Sequence, residues 1–523
     1  MREAQGHRLS RLVARFSLSR HAARGARLAV SIPQQVAIMW AMQNDYVDVL
    51  IVGAGLSGIG AGYYLQTKCP EKSYTILEGR GAIGGTWDLF RYPGVRSDSD
   101  MYTLGYKFRP WPGAKAIADG PSILEYVRET ARVYGIDKKI RFNHRVRRAS
   151  WSSRDKKWTV EAQSPNGRLF SLTCRFIYLC TGYYDYESGY TPQFEGIESF
   201  EGKVIHPQSW PHDLEYAGER VIVIGSGATA VTLVPAMAEK AAHVTMLQRS
   251  PTYVVNLPSK DKIATWLKQH LPEKQAYFIT RWKNVFVSLG FYALARVNPD
   301  FFRNMVAKGV RHQLGPAYDL SHFTPSYNPW DQRLCLVPDA DLFNSIRDGK
   351  ASVVTDHIDH FTQHGINLKS GKELEADIVV TATGLNMKLM SGLDLVVDET
   401  KVDLSKTMSY KGMMYSDVPN LASALGYTNA SWTLKCDLTG EFVCRLINHM
   451  DRHGYSYCTP RRHDPTIRDE PALTFTSGYV QRALPTLPKQ GSKRPWRLRQ
   501  NYALDLLGVR YSSIEDGTME FRR

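Results

Sequence analysis

A chain of 523 residues with 43% hydrophobic and 11% aromatic content can bury large cores, and its length suggests roughly three domains. No run approaches the ~18 consecutive apolar residues that a membrane-spanning helix requires, and there is neither a low-complexity tract nor a repeat beyond two glycine-rich turns. The net charge of +15 hints at nucleic acid until it is located: residues 1–41 hold seven arginines against Glu3 and carry +6 of it, leaving +9 elsewhere.

Residues 1–41 are Arg-rich, Ser-containing and acid-poor, which superficially fits an organelle transit peptide. The favoured reading is an N-terminal extension that is no part of the fold, with Met42 as the real start. The first apolar run, 47–52, leads into Gly53-x-Gly55-x-x-Gly58 and a helical stretch at 60–65. The next run, 74–77, ends on Glu78. In such a βαβ unit the glycines let the backbone approach a pyrophosphate at a helix N-terminus, and the residue ending the second strand meets the ribose. Glu78 can accept hydrogen bonds from a ribose diol, which predicts FAD or NAD.

Strands are expected at 158–161 and 175–182. The run 221–224 then leads into Gly225-x-Gly227-x-x-Ala230 and a helix over 231–237; 244–248 ends on a base, Arg249. Arg249 suits a 2′-phosphate, so the second unit predicts NADP. From about 260 to 315 the pattern is helical and rich in aromatics, including Trp266, Tyr277, Phe278, Phe286, Phe301 and Phe302. It reads as a helical subdomain with the aromatics as core, or more sharply as a lid or membrane-surface patch. The buried-looking run 376–384, ending at Gly384, implies a return to the first unit. The expected organisation is an FAD-binding domain at 42–184 and 376–523, interrupted by an NADP-binding domain at 185–375 with a helical insertion at about 255–330. The fold class is α/β, with two Rossmann-like dinucleotide-binding domains, one inserted in the other, and a cleft between them.

The seven cysteines form no CxxC pair and no metal spacing, and read as reduced core thiols of a cytoplasmic protein with no metal site. Disulfide reductases also combine FAD with NADPH, but they place a redox cysteine pair where this chain has Gly84-Gly85-Thr86-Trp87. A second basic cluster, 489–499, surrounds Trp496 and suits a solvated or phosphate-facing surface at least as well as nucleic acid.

Two long patterns remain: Gly84-Gly85-x-Trp87-x-x-x-Arg91-Tyr92-Pro93-Gly94-x-x-x-Asp98, and Phe200-x-Gly202-x-x-x-His206-x-x-x-Trp210-Pro211. They resemble the type I Baeyer–Villiger flavin monooxygenases; related oxygenases of amines and sulfides carry Tyr or Phe where Trp210 stands. The resemblance covers about 45–501. It is strongest toward the bacterial subgroup that activates ethionamide-type thioamide prodrugs, through the stretches 87–94, 327–335 and 426–435. It implies a monooxygenase dependent on FAD and NADPH. Such an enzyme uses O2 by way of a C4a-peroxyflavin to convert ketones into esters or lactones and to oxygenate sulfur in thioethers or thioamides. Cofactor contacts are then expected at Gly53, Gly55, Gly58, Glu78, Gly85, Trp87, Asp98, Gly225, Gly227, Ala230, Arg249 and Gly384. Arg333 matches the active-site arginine, and Asp98 the acid that orients it. Phe200, Gly202, His206 and Trp210 form the fingerprint, with His206 and Trp210 assigned to linker conformation and NADP positioning. Many members have Lys before the catalytic Arg where this chain has Gln332, which weakens a strict preference for NADPH.

The chemistry suits those assignments. A guanidinium stabilises both an anionic oxidant and the oxyanion of a tetrahedral adduct, and Arg never deprotonates. Two other readings are an N- or S-oxygenase without ketone activity, against which Trp210 stands, and a non-catalytic flavin redox sensor, which has no need of Arg333. Expected partners are a small ketone or sulfur compound and O2. No nucleic acid is expected, while peripheral membrane association and homo-oligomer formation stay open.

Overall fold

The computed structural model describes residues 45–523; the extension expected at 1–41 lies outside the described residues. Its first sheet is built around a strand with neighbours on both sides. Asp45–Val52 runs parallel to Tyr74–Leu77 and to Leu169–Leu179, with Val52 opposite both Leu77 and Leu179. A strand covered on both faces reads as apolar throughout, and Leu50 and Ile51 are fully buried. The sheet continues antiparallel through Lys157–Gln163 and Arg145–Ser152, then reaches Asp394–Val397 and Thr400–Lys401. Leu421–Ser423 joins the end of Leu169–Leu179. The chain therefore leaves this sheet after Leu179 and re-enters it at Asp394.

Between those points lies a five-stranded parallel sheet in the order Ala351–Thr355, His243–Gln248, Arg220–Ile224, Ile378–Thr381, Lys203–Ile205. This corrects one expectation. Ile378–Thr381, assigned by sequence to the resumed first unit at 376–523, is bonded into the second sheet between Arg220–Ile224 and Lys203–Ile205. A short strand buried on both faces fits the middle of either parallel sheet, and nothing in its own residues selects the partner. Two antiparallel strands, Tyr184–Gly189 and Leu385–Met387, form the connection that follows each sheet.

The helical insertion consists of Lys262–His270, Glu273–Val297 and Pro299–Leu314, with Asp261 and Asn298 as N-caps accepting from the Ala264 and Phe301 amides. Its longest helix is pinned to the first unit by a buried arginine. Arg281 donates to the carbonyls of Tyr102 and Gly105 (2.8 Å each) and to the Asp437 carboxylate (3.0 Å). Asp437 also accepts from Tyr64 Oη at 3.1 Å. The third helix turns Phe302, Val306 and Val310 into the core of the second unit. The aromatics divide accordingly: Tyr277 and Phe302 are core, whereas Trp266, Phe278, Phe286 and Phe301 are more than half exposed. The expectation of an aromatic core holds only for the faces turned toward the two units. None of the described helices is long and apolar enough to cross a membrane.

Removing one partner of a buried ion pair leaves an uncompensated charge and costs about 3–5 kcal/mol. Arg281→Leu should lower the urea midpoint by a corresponding amount, whereas Lys406→Ala, at the solvent-exposed pair with Asp403, should leave it unchanged.

Candidate active site between the glycine turns

At the first turn, Gly53 has φ +103°, and a Cβ there would stand 2.5 Å from the Cys180 carbonyl oxygen. A Cβ on Gly58 would stand 1.9 Å from the Gly53 oxygen, so the helix Leu56–Lys68 starts against the turn with room only for hydrogen. Gly85, at φ +56°, brings a second stretch of bare backbone next to Gly55. The result is a wall of peptide groups at a helix N-terminus, the setting in which a pyrophosphate is held. Glu78 is buried and accepts from the amides of Ala54 (2.7 Å) and Arg80 (2.8 Å). It braces the glycine turn, and burial pushes its carboxyl pKa up. Gly53, Gly55, Glu78, Arg80, Gly85 and Tyr186 line a cavity of about 300 Å³.

A buried carboxylate unmarked by the sequence reading stands beside this wall. Asp88 receives Arg80, Arg91 and Arg128 at 2.6, 2.8 and 2.9 Å. Arg80 Nη1 is nonetheless buried without a partner, a donor that a bound polyanion would satisfy. Asp88 follows Trp87 within the glycine–tryptophan motif, and that adjacency was its only signal. Trp87 itself packs, half-buried, on the first core.

At the second turn, Gly225 has φ +133° and would place a Cβ 2.4 Å from the Ala382 oxygen. Gly227 caps the helix Ala228–Met237, and a Cβ there would meet nothing within 4 Å. Ala230 is fully buried beneath it. Arg249 follows the strand His243–Gln248, exposed and without an ion pair to any described residue. Both turns are closed by neighbouring backbone at their first glycine, but the second opens to space at Gly227, with the exposed Arg249 at the end of the next strand.

The fingerprint lies in the connection between the sheets. Phe200 is buried, and Gly202 is required because a Cβ would stand 2.4 Å from the Asp377 oxygen. His206 Nδ1 accepts from the Gln208 amide at 3.1 Å, which assigns the proton to Nε2, 3.1 Å from the Gly384 oxygen. Burial lowers its pKa, so the ring is held neutral. The same Gly384 oxygen accepts from the Tyr190 amide. Gly384, expected at a cofactor, is therefore seen here as part of the stitch between the two connecting strands. Trp210 packs on the second core.

Arg333 stands two residues before the strand Cys335–Pro338, which pairs with Val254–Leu257. The preceding loop is tightly held: Trp330 has φ +69°, Tyr253 Oη donates to the Tyr327 oxygen at 2.7 Å, and Arg296 pairs with Asp331 at 2.9 Å. A bulky residue at positive φ is strained and persists only where its surroundings enforce it. Arg333 Nη1 lies 3.9 Å from Asp98 Oδ2. The Asp98 carboxylate pushes the guanidinium pKa up, against burial, and Tyr183, Tyr479 and Tyr184 add to the effect. The accessible 38% of the Arg333 side chain opens into two cavities that meet there. One, about 140 Å³, is mostly apolar and includes Tyr183, Trp432, Leu425, Phe475 and Tyr479. The other, about 530 Å³, lies between Asp98, Ser431 and the helical insertion. Tyr183 stacks on Trp432 at 5.1 Å, and Trp432 Nε1 donates to Ser57 Oγ in the first glycine-turn helix at 2.8 Å. That wall was not picked out from sequence, although Trp432 falls in the stretch 426–435.

Strain and steric exclusion at Gly53, against open space at Gly227, give a paired expectation. Gly53→Ala should lower the thermal midpoint by several degrees, and Gly227→Ala should leave it unchanged, in melts of the purified proteins.

Residues 116–422 match a family model described as flavin-binding monooxygenase-like, and residues 51–114 match an NAD(P)-binding Rossmann-like domain. Over 482 residues the chain is 55% identical to the FAD-containing monooxygenase EthA of Mycobacterium tuberculosis (strain ATCC 25618 / H37Rv), covering 92% of this chain and 98% of that protein. The EthA of Mycolicibacterium smegmatis is 52% identical with the same coverage. In fold, the chain is similar to an oxidized steroid monooxygenase bound to NADP, with a TM-score of 0.73 at 21% identity, over 91% of this chain and 100% of that one. With more than half of its residues inside the family model and relatives above half identical along nearly all of it, the chain belongs to the flavin-binding monooxygenase-like family.

Proposed function

We propose that this flavoprotein monooxygenase holds FAD at the Gly53 turn and NADPH at the Gly225 turn. We further propose that it inserts one atom of O2 beside a ketone carbonyl to give an ester or lactone. Oxygenation of sulfur in thioethers or thioamides would take place at the same site. The reaction balances as ketone, O2, NADPH and a proton giving ester, water and NADP⁺. The observation that carries the reading is Arg333: a permanently charged fork beside Asp98, at the meeting of an apolar cavity and the larger cleft.

The residues present fit the cofactors. The backbone wall at Gly53, Gly55 and Gly85 and the unpartnered Arg80 Nη1 suit the pyrophosphate of FAD, with Glu78 at the ribose end. The open helix terminus at Gly227 and the unpaired Arg249 suit NADPH and its 2′-phosphate. When bound and reduced, the flavin supplies two-electron activation of O2. The protein's part is electrostatic. Arg333 donates to the oxygen on which negative charge develops, with Asp98 as its counter-charge 3.9 Å away. Tyr183, Trp432 and Phe475 supply an apolar surround that excludes water. The neutral His206 takes no proton in this scheme. It ties the segment after the strand Lys203–Ile205 to the connecting strands through the Gly384 oxygen.

Mass analysis of products from the yellow, FAD-loaded protein given NADPH and a panel of ketones and thioethers tests the reading. NADPH consumption without any oxygenated product would overturn it. Arg333→Ala should still consume NADPH but release hydrogen peroxide, with ester formation reduced by about 10²–10³. Arg249→Ala should raise the KM for NADPH by the equivalent of about 2 kcal/mol and leave that for NADH unchanged; equal losses with both would remove the 2′-phosphate assignment.

A further inference from the structure

The apolar cavity at Arg333 has a second end. Lys435, Leu498 and Arg499 line it and also line an adjoining cavity of about 290 Å³. That second cavity is bounded by five cations, Lys411, Lys435, Arg494, Arg497 and Arg499, and by two acids, Asp505 and Asp516. Both acids are already engaged. Asp505 accepts from Lys435 Nζ at 2.6 Å and from Tyr427 Oη at 2.8 Å. Asp516 accepts from Tyr410 Oη at 2.6 Å and pairs with Lys411 at 3.0 Å. The two lysines are thereby neutralised, while the three arginines form no ion pair with any described residue.

The arginines are carried on a fixed frame. Trp496, between them, is 1% exposed and packs edge-on to Tyr410 at 5.7 Å. The backbone on either side is tied down: the Lys411 amide donates to the Pro495 oxygen at 2.9 Å, and the Gly491 amide to the Trp496 oxygen at 3.0 Å. Three arginines at one cavity, Arg494 and Arg497 exposed and Arg499 half-buried, with no ion pair to any described residue, repel one another and concentrate anions there. The apolar cavity, which reaches Arg333, shares Lys435, Leu498 and Arg499 as lining with the basic one. An occupant of both cavities is anionic at one end and apolar along its length.

We propose that the basic cavity receives the carboxylate of an amphipathic substrate. The substrate class is an oxo-carboxylic acid whose alkyl chain lies along Leu425, Leu473 and Phe475 and presents its ketone to Arg333. A carboxylate matches the planar donor fork of arginine bidentately, and the chain fills a cavity that offers little hydrogen bonding. The assignment of the ketone rests on the oxygenase reading above; the assignment of the carboxylate site does not.

Equilibrium titration of the FAD-loaded protein with decanoate and with decanol, followed by the flavin absorbance, separates the two. Decanoate should bind about tenfold or more tightly than decanol, with an advantage that shrinks as salt is added. Arg494→Gln/Arg497→Gln should abolish that advantage, leave decanol binding unchanged and leave substrate-free NADPH oxidation at the wild-type rate. Equal affinity for the two probes, or undiminished decanoate binding by the double variant, overturns the proposal. If decanoate binds as expected but an oxo derivative of it yields no ester or lactone, the ketone reading fails and the carboxylate site stands.

Discussion

Close approach of bare backbone is the constraint on which the rest of the molecule depends. At the first turn, the gap of 1.9 Å between a notional Gly58 Cβ and the Gly53 oxygen lets the strand Asp45–Val52 pass directly into the helix Leu56–Lys68. Glu78 then clamps the turn from the next strand through the Ala54 amide. A side chain at these positions would push the helix off the sheet and remove the array of amides at its start. Much of the first core, from Ile59 to Tyr64 and across to Phe442 and Val443, packs on the geometry that this contact sets.

Electrostatics dominate the other half of the cleft. Arg333 lies at the junction of two cavities, facing a carboxylate at a distance too long for a hydrogen bond. Its charge is therefore secured by Asp98 without being consumed by it. Asp88 is the opposite case: three arginines converge on one carboxylate, and only Arg80 keeps a buried donor without a partner. Both use the same residue types, and what separates them is how many arginines meet the one carboxylate: three at Asp88, one at Asp98.

The two βαβ units were legible because their signals are local: an apolar run, glycines at fixed offsets, and a distinguishing residue, Glu78 or Arg249, at the end of the next strand. What failed was non-local. Ile378–Thr381 carries no mark of which sheet it enters, since Arg220–Ile224 and Asp45–Val52 would accept it equally on composition. The partner of His206 is Gly384, 178 positions away, and no periodicity reports such a pairing. The aromatics between Trp266 and Phe302 signalled helices, but which faces they occupy depended on where the two units lie. Arg333 and Asp98 were singled out only through resemblance to a family; their separation of 235 positions gives no local cue.

The helical insertion touches both units, by Arg281 at one end and by Phe302, Val306 and Val310 at the other. A brace fastened at two points transmits force. Any rotation of one nucleotide unit against the other about the paired strands Tyr184–Gly189 and Leu385–Met387 must either bend this brace or slide its third helix across the second core. The brace also forms one side of the larger cavity at Arg333, through Lys283, Val287 and Phe291. Opening of the cleft and the shape of its floor are consequently one mechanical coordinate: a displacement of one unit against the other also resizes the larger cavity at Arg333.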